Sequence, residues 1–288
     1  MASLETLQSF VNTWECDEND HMNVQFYFSR FEEADRQFRL MSDFSEALVG
    51  ARRVRHVRYH AELRAASPVT VNSYAAFDGP HMFCILHEMV EASTGQLAAT
   101  AVDGYTPNPN AAKSLRQRFA GFEASVSEPA MPRSLPASPY SGKPTQDELL
   151  KNGAFITGRA TVLPRHLDVS GRADDTFVLA CISDASAHAW ERTPMTTEWL
   201  DDNDFGRISV EQKLSWISPL TSGDMVAIVS TFTGVNGNSF NLRHHVFEQR
   251  TRRLAAVCDM VVMAMDLDKR TIVPLDKDIT AAITALLG

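Results

Sequence analysis

Alternating hydrophobic and polar positions along the chain predict two antiparallel sheets. Residues 63–105 align without a gap on residues 220–262 after a shift of 157 positions, and ten aligned positions are identical. The turn signals coincide as well, with DGPH at 78–81 opposite VNGN at 235–238. Each copy therefore predicts strand, turn, strand, turn, strand, which is an antiparallel meander.

The strand ahead of each meander follows the same two-residue period. This period predicts one buried face and one face in contact with water. In the first copy the predicted inward positions are Val57, Tyr59, Ala61 and Leu63, and the predicted outward positions are His56, Arg58, His60 and Glu62. In the second copy the inward positions are Leu214, Trp216, Ser218 and Leu220.

A change of period upstream of each sheet predicts a helix. In NVQFYFSRFEEADRQFRLM, apolar residues recur with helical spacing and form one stripe: Tyr27, Phe31, Ala34, Phe38 and Met41. Asn23 is the predicted N-cap of this helix. A shift of 151 brings Asp17 and Phe26 onto Asp168 and Phe177, so the second copy has the same helix.

The two shifts differ, so the second copy must hold six extra residues, and ERTPMTTEWLDDND (191–204) is the natural place for them. Between the copies the chain is rich in Pro, Ser and Ala. AAKSLRQRFAGF predicts a short helix there, and 128–144 is typical of a linker. We therefore expect an α+β protein with a first unit over 1–127, a linker over 128–152 and a second unit over 153–288.

Composition narrows the class of protein. The 288 residues are 44% hydrophobic and 22% charged, which is typical of a soluble globular chain, and the net charge of -9 argues against a nucleic-acid partner. No apolar run approaches the length of a membrane span, and the N-terminus lacks a signal sequence, so we expect a cytoplasmic protein without a membrane partner. The four cysteines lack metal-binding spacing, which predicts reduced structural thiols and no metal site.

Ionisable chemistry concentrates at the start of the first helix, in WECDENDHMNVQFYF (14–28). This segment resembles the D-x-x-G-H-x-N motif of the hotdog-fold acyl-CoA thioesterases, in particular the 4-hydroxybenzoyl-CoA thioesterase-like branch. VRYHAELRAASPVTV and TGQLAATAVDGY resemble the second and last strands of that fold. The resemblance covers nearly the whole chain and identifies it as a tandem, or double, hotdog protein.

The resemblance implies a long helix wrapped by a curved antiparallel sheet in each unit. It also implies hydrolysis of an acyl-CoA without a cofactor, and it leaves open a homodimer of fused pairs. The matched positions make Asp17 the catalytic carboxylate, with His21 and Asn23 as the other motif residues. Where the family has Gly this chain has Asp20, whose side chain would border the thioester.

Helix physics adds an oxyanion site to this motif. The first turn of a helix leaves N–H groups without partners at an electropositive end, so we expect the amides from Met22 to Val24 to bind the oxyanion. The same positive end should keep Asp17 ionised, either as nucleophile or as general base. Tyr27, on the next turn, is expected at the wall of the acyl pocket.

Two further expectations concern the phosphates of CoA and the second copy. Arg52 and Arg53, in the basic cluster ARRVRHVR, are the candidates for phosphate contact, although Arg runs at strand ends are commonly solvated edges. In the second copy, LDVSGRADD keeps Asp168 and Gly171 but has Arg172 for His and Asp174 for Asn. We therefore predict one competent site, led by Asp17.

Two other functions stay open at this point. One is a hotdog enoyl-CoA hydratase, although the Asp-to-His spacing of DENDHMN is four and its Pro is missing. The other is a non-catalytic acyl-CoA binding module, for which the sequence offers no effector domain.

Overall fold

A computed structural model of the chain describes residues 3–43, 49–107 and 112–288. The chain divides into two compact units, Met1–Pro139 (unit 1) and Tyr140–Gly288 (unit 2). This division falls inside the segment that the sequence predicts as a linker.

Unit 1 places one long helix against an antiparallel sheet. Its elements are β1 (Leu4–Phe10), α1 (Val24–Met41), β2 (Arg52–Tyr59), β3 (Pro68–Ala76), β4 (Phe83–Glu91), β5 (Gln96–Tyr105) and α2 (Ala112–Phe119). The strand order is β1-β3-β4-β5-β2, with every neighbouring pair antiparallel. The predicted meander is therefore β3-β4-β5, and α2 confirms the predicted short helix.

Unit 2 repeats this arrangement with additions. Its elements are α3 (Gln146–Lys151), β6 (Phe155–Thr161), α4 (Asp175–Trp190), α5 (Thr197–Asp202), β7 (Phe205–Trp216), β8 (Met225–Asn236), β9 (Ser239–Glu248), β10 (Leu254–Asp266), β11 (Thr271–Ile272) and α6 (Lys277–Thr284). The order is β6-β8-β9-β10-β7, and β11 pairs with β10. Helix α5 lies in the predicted insertion at 191–204. The α+β prediction is confirmed.

Helix α1 is held in place by its apolar stripe. Tyr27, Phe31, Ala34 and Phe38 are buried as the spacing predicts, whereas Met41 at the C-terminal end is 47% exposed. The side chain of Asn23 accepts from the Gln25 N–H at 3.1 Å, which confirms the predicted N-cap. The cap fixes where the helix begins, and therefore where the preceding loop ends.

Strand β2 departs from the predicted alternation, because both of its faces are covered. Arg55 and His56 are each 1% exposed. Arg55 pairs with Glu32 of α1, and on the other face Arg58 donates to the Pro129 carbonyl at 2.7 Å. The segment after α2 thus covers the face that the sequence pattern predicted to be wet.

No helix of the described chain is long and apolar enough to cross a membrane. The four cysteines are all unpaired, and Cys84 and Cys258 are buried.

Candidate active site

The loop that leads into α1 is folded by its own backbone. It follows a 3-10 turn at Thr13–Glu15. The Asp17 N–H donates to the His21 carbonyl at 2.9 Å, and the Asp20 N–H donates to the Asp17 carbonyl at 3.1 Å. These bonds close a tight loop with Asp17 at its start and Asn23, the helix cap, at its end.

Asp20 occupies the position at which this loop turns. Its φ is +58°, in the left-handed region that favours glycine. The tightness of the turn, rather than a demand of the substrate, therefore explains a glycine at this motif position. Aspartate is one of the few other residues that adopt this conformation readily, and the Asp20 side chain is exposed.

The Asp17 carboxylate is half-buried and bonded to the backbone of its own loop. Its Oδ1 accepts from the Asn19 N–H at 3.0 Å, and the His21 N–H is a second backbone donor to this carboxylate. Burial, helped by the negative charge of Glu18, raises the pKa of this carboxyl above its ordinary value. Burial therefore acts against the ionisation that the helix end was expected to favour, and the ionised state of Asp17 stays a prediction.

Only one of the three predicted amides is unoccupied. The Met22 N–H donates to the Leu63 carbonyl at 2.7 Å, and the Asn23 N–H donates to the Glu15 carbonyl at 2.8 Å. The Val24 N–H has no acceptor among the residues that the structure describes. As the first residue of α1, Val24 also lies at the positive end of the helix dipole.

His21 is paired with an acid that the motif does not contain. Its Nε2 lies 3.2 Å from Oε2 of Glu62, and the His21 residue is 7% exposed. Glu62 is exposed, as the alternation after β2 predicted, but the alternation did not predict its contact with His21. The only signal was the position of Glu62 next to Leu63, whose carbonyl binds the loop.

Tyr27 lies beneath the loop. Its hydroxyl oxygen accepts from the Leu63 N–H at 3.2 Å, and its ring meets Tyr59 edge-on, with 5.1 Å between centroids. The residue is 4% exposed, and burial raises the pKa of its hydroxyl. Leu63 therefore binds both Met22 and Tyr27 and joins the loop to the first helical turns.

The two arginines proposed for phosphate contact differ. Arg52 contacts Glu32 at 3.2 Å and Asp103 at 3.3 Å, and its side chain is 10% exposed. Its charge is balanced inside unit 1, which argues against contact with the phosphates of CoA. Arg53 is exposed on β2, and its part in binding stays a prediction.

A second cluster in unit 1 resembles a hydrolytic triad but is closed. Ser73 Oγ lies 2.6 Å from His87 Nδ1, and His87 Nε2 lies 3.5 Å from Asp103 Oδ2. All three residues are 0% exposed, and Ser73 is also bonded to Thr6 at 2.7 Å. A nucleophile without access to substrate does not catalyse, so this cluster has a structural role.

The same cluster contains side chains spaced for a cation, namely Asp35, His87 and Asp103. Asp103 already accepts from Arg55 at 2.6 and 2.7 Å. These guanidinium bonds hold the pKa of Asp103 well below its ordinary value, against the effect of burial. With a buried arginine beside the carboxylate, the cluster does not suit a metal ion.

Cys16 does not suit the role of nucleophile. Burial raises the pKa of its thiol, and the charge of Asp17 acts in the same direction. The reactive form of a cysteine is the thiolate, which this environment disfavours.

Unit 2 contains a second copy of the loop with the same backbone bonds. The Asp168 N–H donates to the Arg172 carbonyl at 2.7 Å, and the Gly171 N–H donates to the Asp168 carbonyl at 3.0 Å. Asp168 Oδ1 accepts from the Ser170 N–H at 2.7 Å, as Asp17 does from Asn19. Asp174 caps α4 through the Phe177 N–H. The loop is therefore duplicated, while its side chains have diverged.

Comparisons with known proteins agree with this duplicated fold. Residues 162–283, which lie in unit 2, match the family model of the thioesterase-like superfamily. A putative oleoyl thioesterase from Lactobacillus plantarum has a similar structure, with a TM-score of 0.64, 13% sequence identity, and coverage of 91% of this chain and 96% of that one. No curated protein sequence matches the chain.

Two acyl-ACP thioesterases have the same fold over most of their length. The enzyme from Bacteroides thetaiotaomicron gives a TM-score of 0.58 at 9% identity, covering 89% of this chain and 96% of that chain. The 12:0-ACP thioesterase from Umbellularia californica gives 0.56 at 10% identity, covering 90% and 93%. Residues 162–283 thus match the thioesterase-like superfamily, and the chain as a whole has a tandem hotdog fold.

The resemblance that the motif suggested is thereby confirmed for the fold. In this tandem hotdog protein, the family match lies in the unit whose motif has lost His and Asn. The family match therefore does not cover the candidate site in unit 1, and the evidence for that site is the geometry described above.

Proposed function

We propose that this protein hydrolyses an acyl-CoA thioester to a free acid and CoA, using Asp17 in unit 1. The observation that carries the proposal is that one loop holds both a half-buried carboxylate and a helix N-terminal amide without an acceptor among the described residues. The carboxylate is that of Asp17, which accepts from the loop backbone, and the amide is the Val24 N–H. The thioesterase-like match of unit 2 supports the reaction class.

The chemistry requires an oxygen nucleophile and a leaving thiolate. In the direct route, Oδ2 of Asp17 attacks the carbonyl carbon, the C–S bond breaks, and water then hydrolyses the mixed anhydride. In the general-base route, Asp17 takes a proton from the water that attacks the carbon. In both routes the thiolate leaves with the C–S electron pair and is protonated. A pKa raised by burial makes Asp17 a stronger base than an exposed aspartate.

The Val24 N–H is the proposed oxyanion donor. Negative charge develops on the carbonyl oxygen during attack, and a first-turn amide at the positive end of a helix stabilises it. One such donor typically lowers the barrier by about 3 kcal/mol. Met22 and Asn23 then act by holding the loop, because their amides are already bonded.

The carrier of the acyl group distinguishes two substrate classes. The tandem hotdog structures from Bacteroides and Umbellularia are described as acyl-ACP thioesterases. An acyl-ACP is therefore the second candidate substrate. A panel of acyl-CoAs and the corresponding acyl-ACPs, scored by thiol release, decides between them.

The test of the catalytic residue is Asp17→Asn. The Asn side-chain oxygen can still accept from the Asn19 N–H, so the loop should fold, while the nucleophilic or basic oxygen is lost. We expect kcat to fall about 10² to 10⁴-fold. Asp168→Asn is the matched control, because Asp168 makes the same loop bond in unit 2, and it should leave activity within about twofold.

Three results would contradict the proposal. A larger loss from Asp168→Asn would move the site to unit 2. Loss of absorbance from a 2,3-unsaturated acyl-CoA without thiol release would indicate a hydratase. Tight acyl-CoA binding without thiol release from any substrate would indicate a binding module.

A further inference from the structure

Glu62 is the acid that faces the motif histidine, and the backbone fixes its position. It follows β2 and directly precedes Leu63, whose carbonyl accepts from Met22 and whose N–H donates to Tyr27. His21 also pairs with Arg64 in an isolated antiparallel bridge. The chain on the C-terminal side of Glu62 is thus anchored to the loop, which brings the carboxylate to within 3.2 Å of His21 Nε2.

Unit 2 shows that the loop folds without this pair. The Ala173 N–H donates to the Leu220 carbonyl at 2.9 Å, as Met22 does to Leu63. Yet the position of Glu62 is taken by Pro219, and that of His21 by Arg172. Because the same backbone forms in unit 2 without a His–Glu contact, folding of the loop does not explain the contact in unit 1.

The position of His21 holds a cation in the other copy. Arg172 is a guanidinium and stays positive at any physiological pH. A histidine is positive at neutral pH only when its surroundings favour the imidazolium, and a carboxylate at hydrogen-bonding distance does this. Unit 2 lacks both the histidine and the glutamate, as expected if the two residues act together in unit 1.

We propose that Glu62 is a positioning residue that holds His21 as an imidazolium beside Asp17. This inference rests on the proposed function, since its purpose is to serve the reaction at Asp17. The charged groups on the two segments packed here are Asp17, Glu18, Asp20, Glu62 and Arg64, and α1 contributes the buried hydroxyl of Tyr27. Acids therefore outnumber bases on the segments around His21.

The imidazolium serves the reaction in two ways. Its positive charge offsets the acids of the loop, which would otherwise repel both the ionised Asp17 and the oxyanion. It also stabilises the thiolate that departs with the C–S electron pair. Both effects disappear when His21 loses its proton, so the rate falls on the alkaline side.

The experiment measures the His21 charge and the rate separately. The imidazole of His21 is titrated by NMR in the wild type and in Glu62→Gln, with its signal assigned by its absence in His21→Asn. We expect the titration midpoint to fall by about one pH unit in Glu62→Gln, since a neighbouring opposite charge is typically worth about one to three units. The alkaline limb of kcat/KM should move by the same amount.

Three controls separate this role from a structural one. Glu123→Gln breaks an exposed ion pair of unit 1, that of Glu123 with Arg116 at 3.1 Å, and should leave both readouts unchanged. His21→Arg restores a permanent cation, so it should remove the alkaline limb and retain more activity than His21→Asn. Glu62→Gln should add no further loss in the His21→Asn background.

An unchanged His21 midpoint in Glu62→Gln would overturn the inference. A shifted midpoint with an unmoved rate profile would also overturn it, because the pair would then have no part in the reaction. If the wild type releases no thiol from any substrate, the proposed function fails, and the NMR titration still decides whether Glu62 holds the charge of His21.

Discussion

Single backbone positions determine how the candidate loop is built, and the left-handed turn residue is the clearest of them. Unit 1 has Asp20 there with φ +58°, and unit 2 has Gly171 with φ +78°. The two loops make the same backbone bonds, so the conformation does not depend on which residue fills the position. Aspartate at this position adds a charge beside Asp17 at a modest conformational cost.

Gly171→Ala isolates the cost of this conformation. A Cβ at Gly171 would meet nothing within 4 Å, so any destabilisation comes from the backbone alone. We expect the free energy of unfolding to fall by about 1 to 2 kcal/mol, as for an L-residue in the left-handed region. Urea unfolding measures this change.

Gly121→Ala is the matched control. Its Cβ would also meet nothing, and its φ lies outside the left-handed region. This variant should be neutral or more stable by about 0.4 to 1 kcal/mol. Equal effects at the two glycines would mean that φ at position 171 does not limit stability.

The sequence predicted part of the site and missed its long-range contacts. Asp17 and Asn23 were identifiable because capping and motif spacing are local. The Glu62 contact joins residues far apart in sequence, so the two-residue period, which correctly makes Glu62 an exposed position, does not reveal the contact. The raised pKa of Asp17 also depends on burial, which local spacing does not reveal.

At the scale of elements, α1 is attached to its sheet by charges as well as apolar contacts. Arg55 on β2 contacts Glu32 on α1 at 3.1 Å and Asp103 on β5 at 2.6 Å. The Arg55 and Asp103 side chains are 0% exposed. A basic run at a strand end predicts a solvated edge only when nothing covers it, and here the Arg52 side chain is largely buried against Glu32 and Asp103.

Asp103→Asn tests how much this buried network contributes. It removes the negative charge that balances Arg55, and breaking a buried pair typically costs about 3 to 5 kcal/mol. Asp147→Asn is the control, since Asp147 pairs with Arg252 at 2.9 Å with both side chains mostly exposed. That change should stay within about 1 kcal/mol. Similar unfolding midpoints for the two variants would show that the network is not needed for stability.

At the scale of the whole molecule, the two units share the same arrangement of elements but differ in their buried charged groups. Both units hold the same buried chain of Thr, Ser and His, with Ser–His distances of 2.6 Å in unit 1 and 2.7 Å in unit 2. The acid beside the histidine in unit 1, Asp103, corresponds to Met260 in unit 2. The alignment of the two copies was enough to predict the shared fold. The difference in buried charge became visible only when the structure showed which aligned residues are in contact.

This exchange gives the two units different responses to acid. In unit 2, burial lowers the pKa of His244 to about 3, with a further contribution from His245. Burial, followed by the charge of Arg243, lowers the pKa of His245 to about 4. In unit 1 the buried acid Glu32 is shifted in its own way: the charges of Arg52 and Arg55 overcome burial and lower its pKa to about 2.

We therefore expect unit 2 to lose stability first as the pH falls. An unfolded histidine binds a proton below about pH 6.5, whereas His244 and His245 stay neutral in the folded unit down to about pH 3 and 4. Each such group removes up to about 1.4 kcal/mol of stability per pH unit over that window. The buried acids of unit 1 work in the same direction, but only below the ordinary carboxyl pKa of about 4.5.

Hydrogen exchange of the full chain at pH 7 and pH 5, corrected for intrinsic rates, measures this difference. Amides of β8, β9 and β10 should lose protection at pH 5, while those of β3, β4 and β5 should keep it.

His60 in unit 1 also has a pKa lowered by burial, but its side chain is exposed, so solvent screens its effect. His244→Gln should reduce the acid sensitivity of unit 2, because it removes one of the two histidines that bind a proton only in the unfolded state over this pH range. Equal loss of protection in both sheets would mean that the charge exchange between the copies does not control their stability.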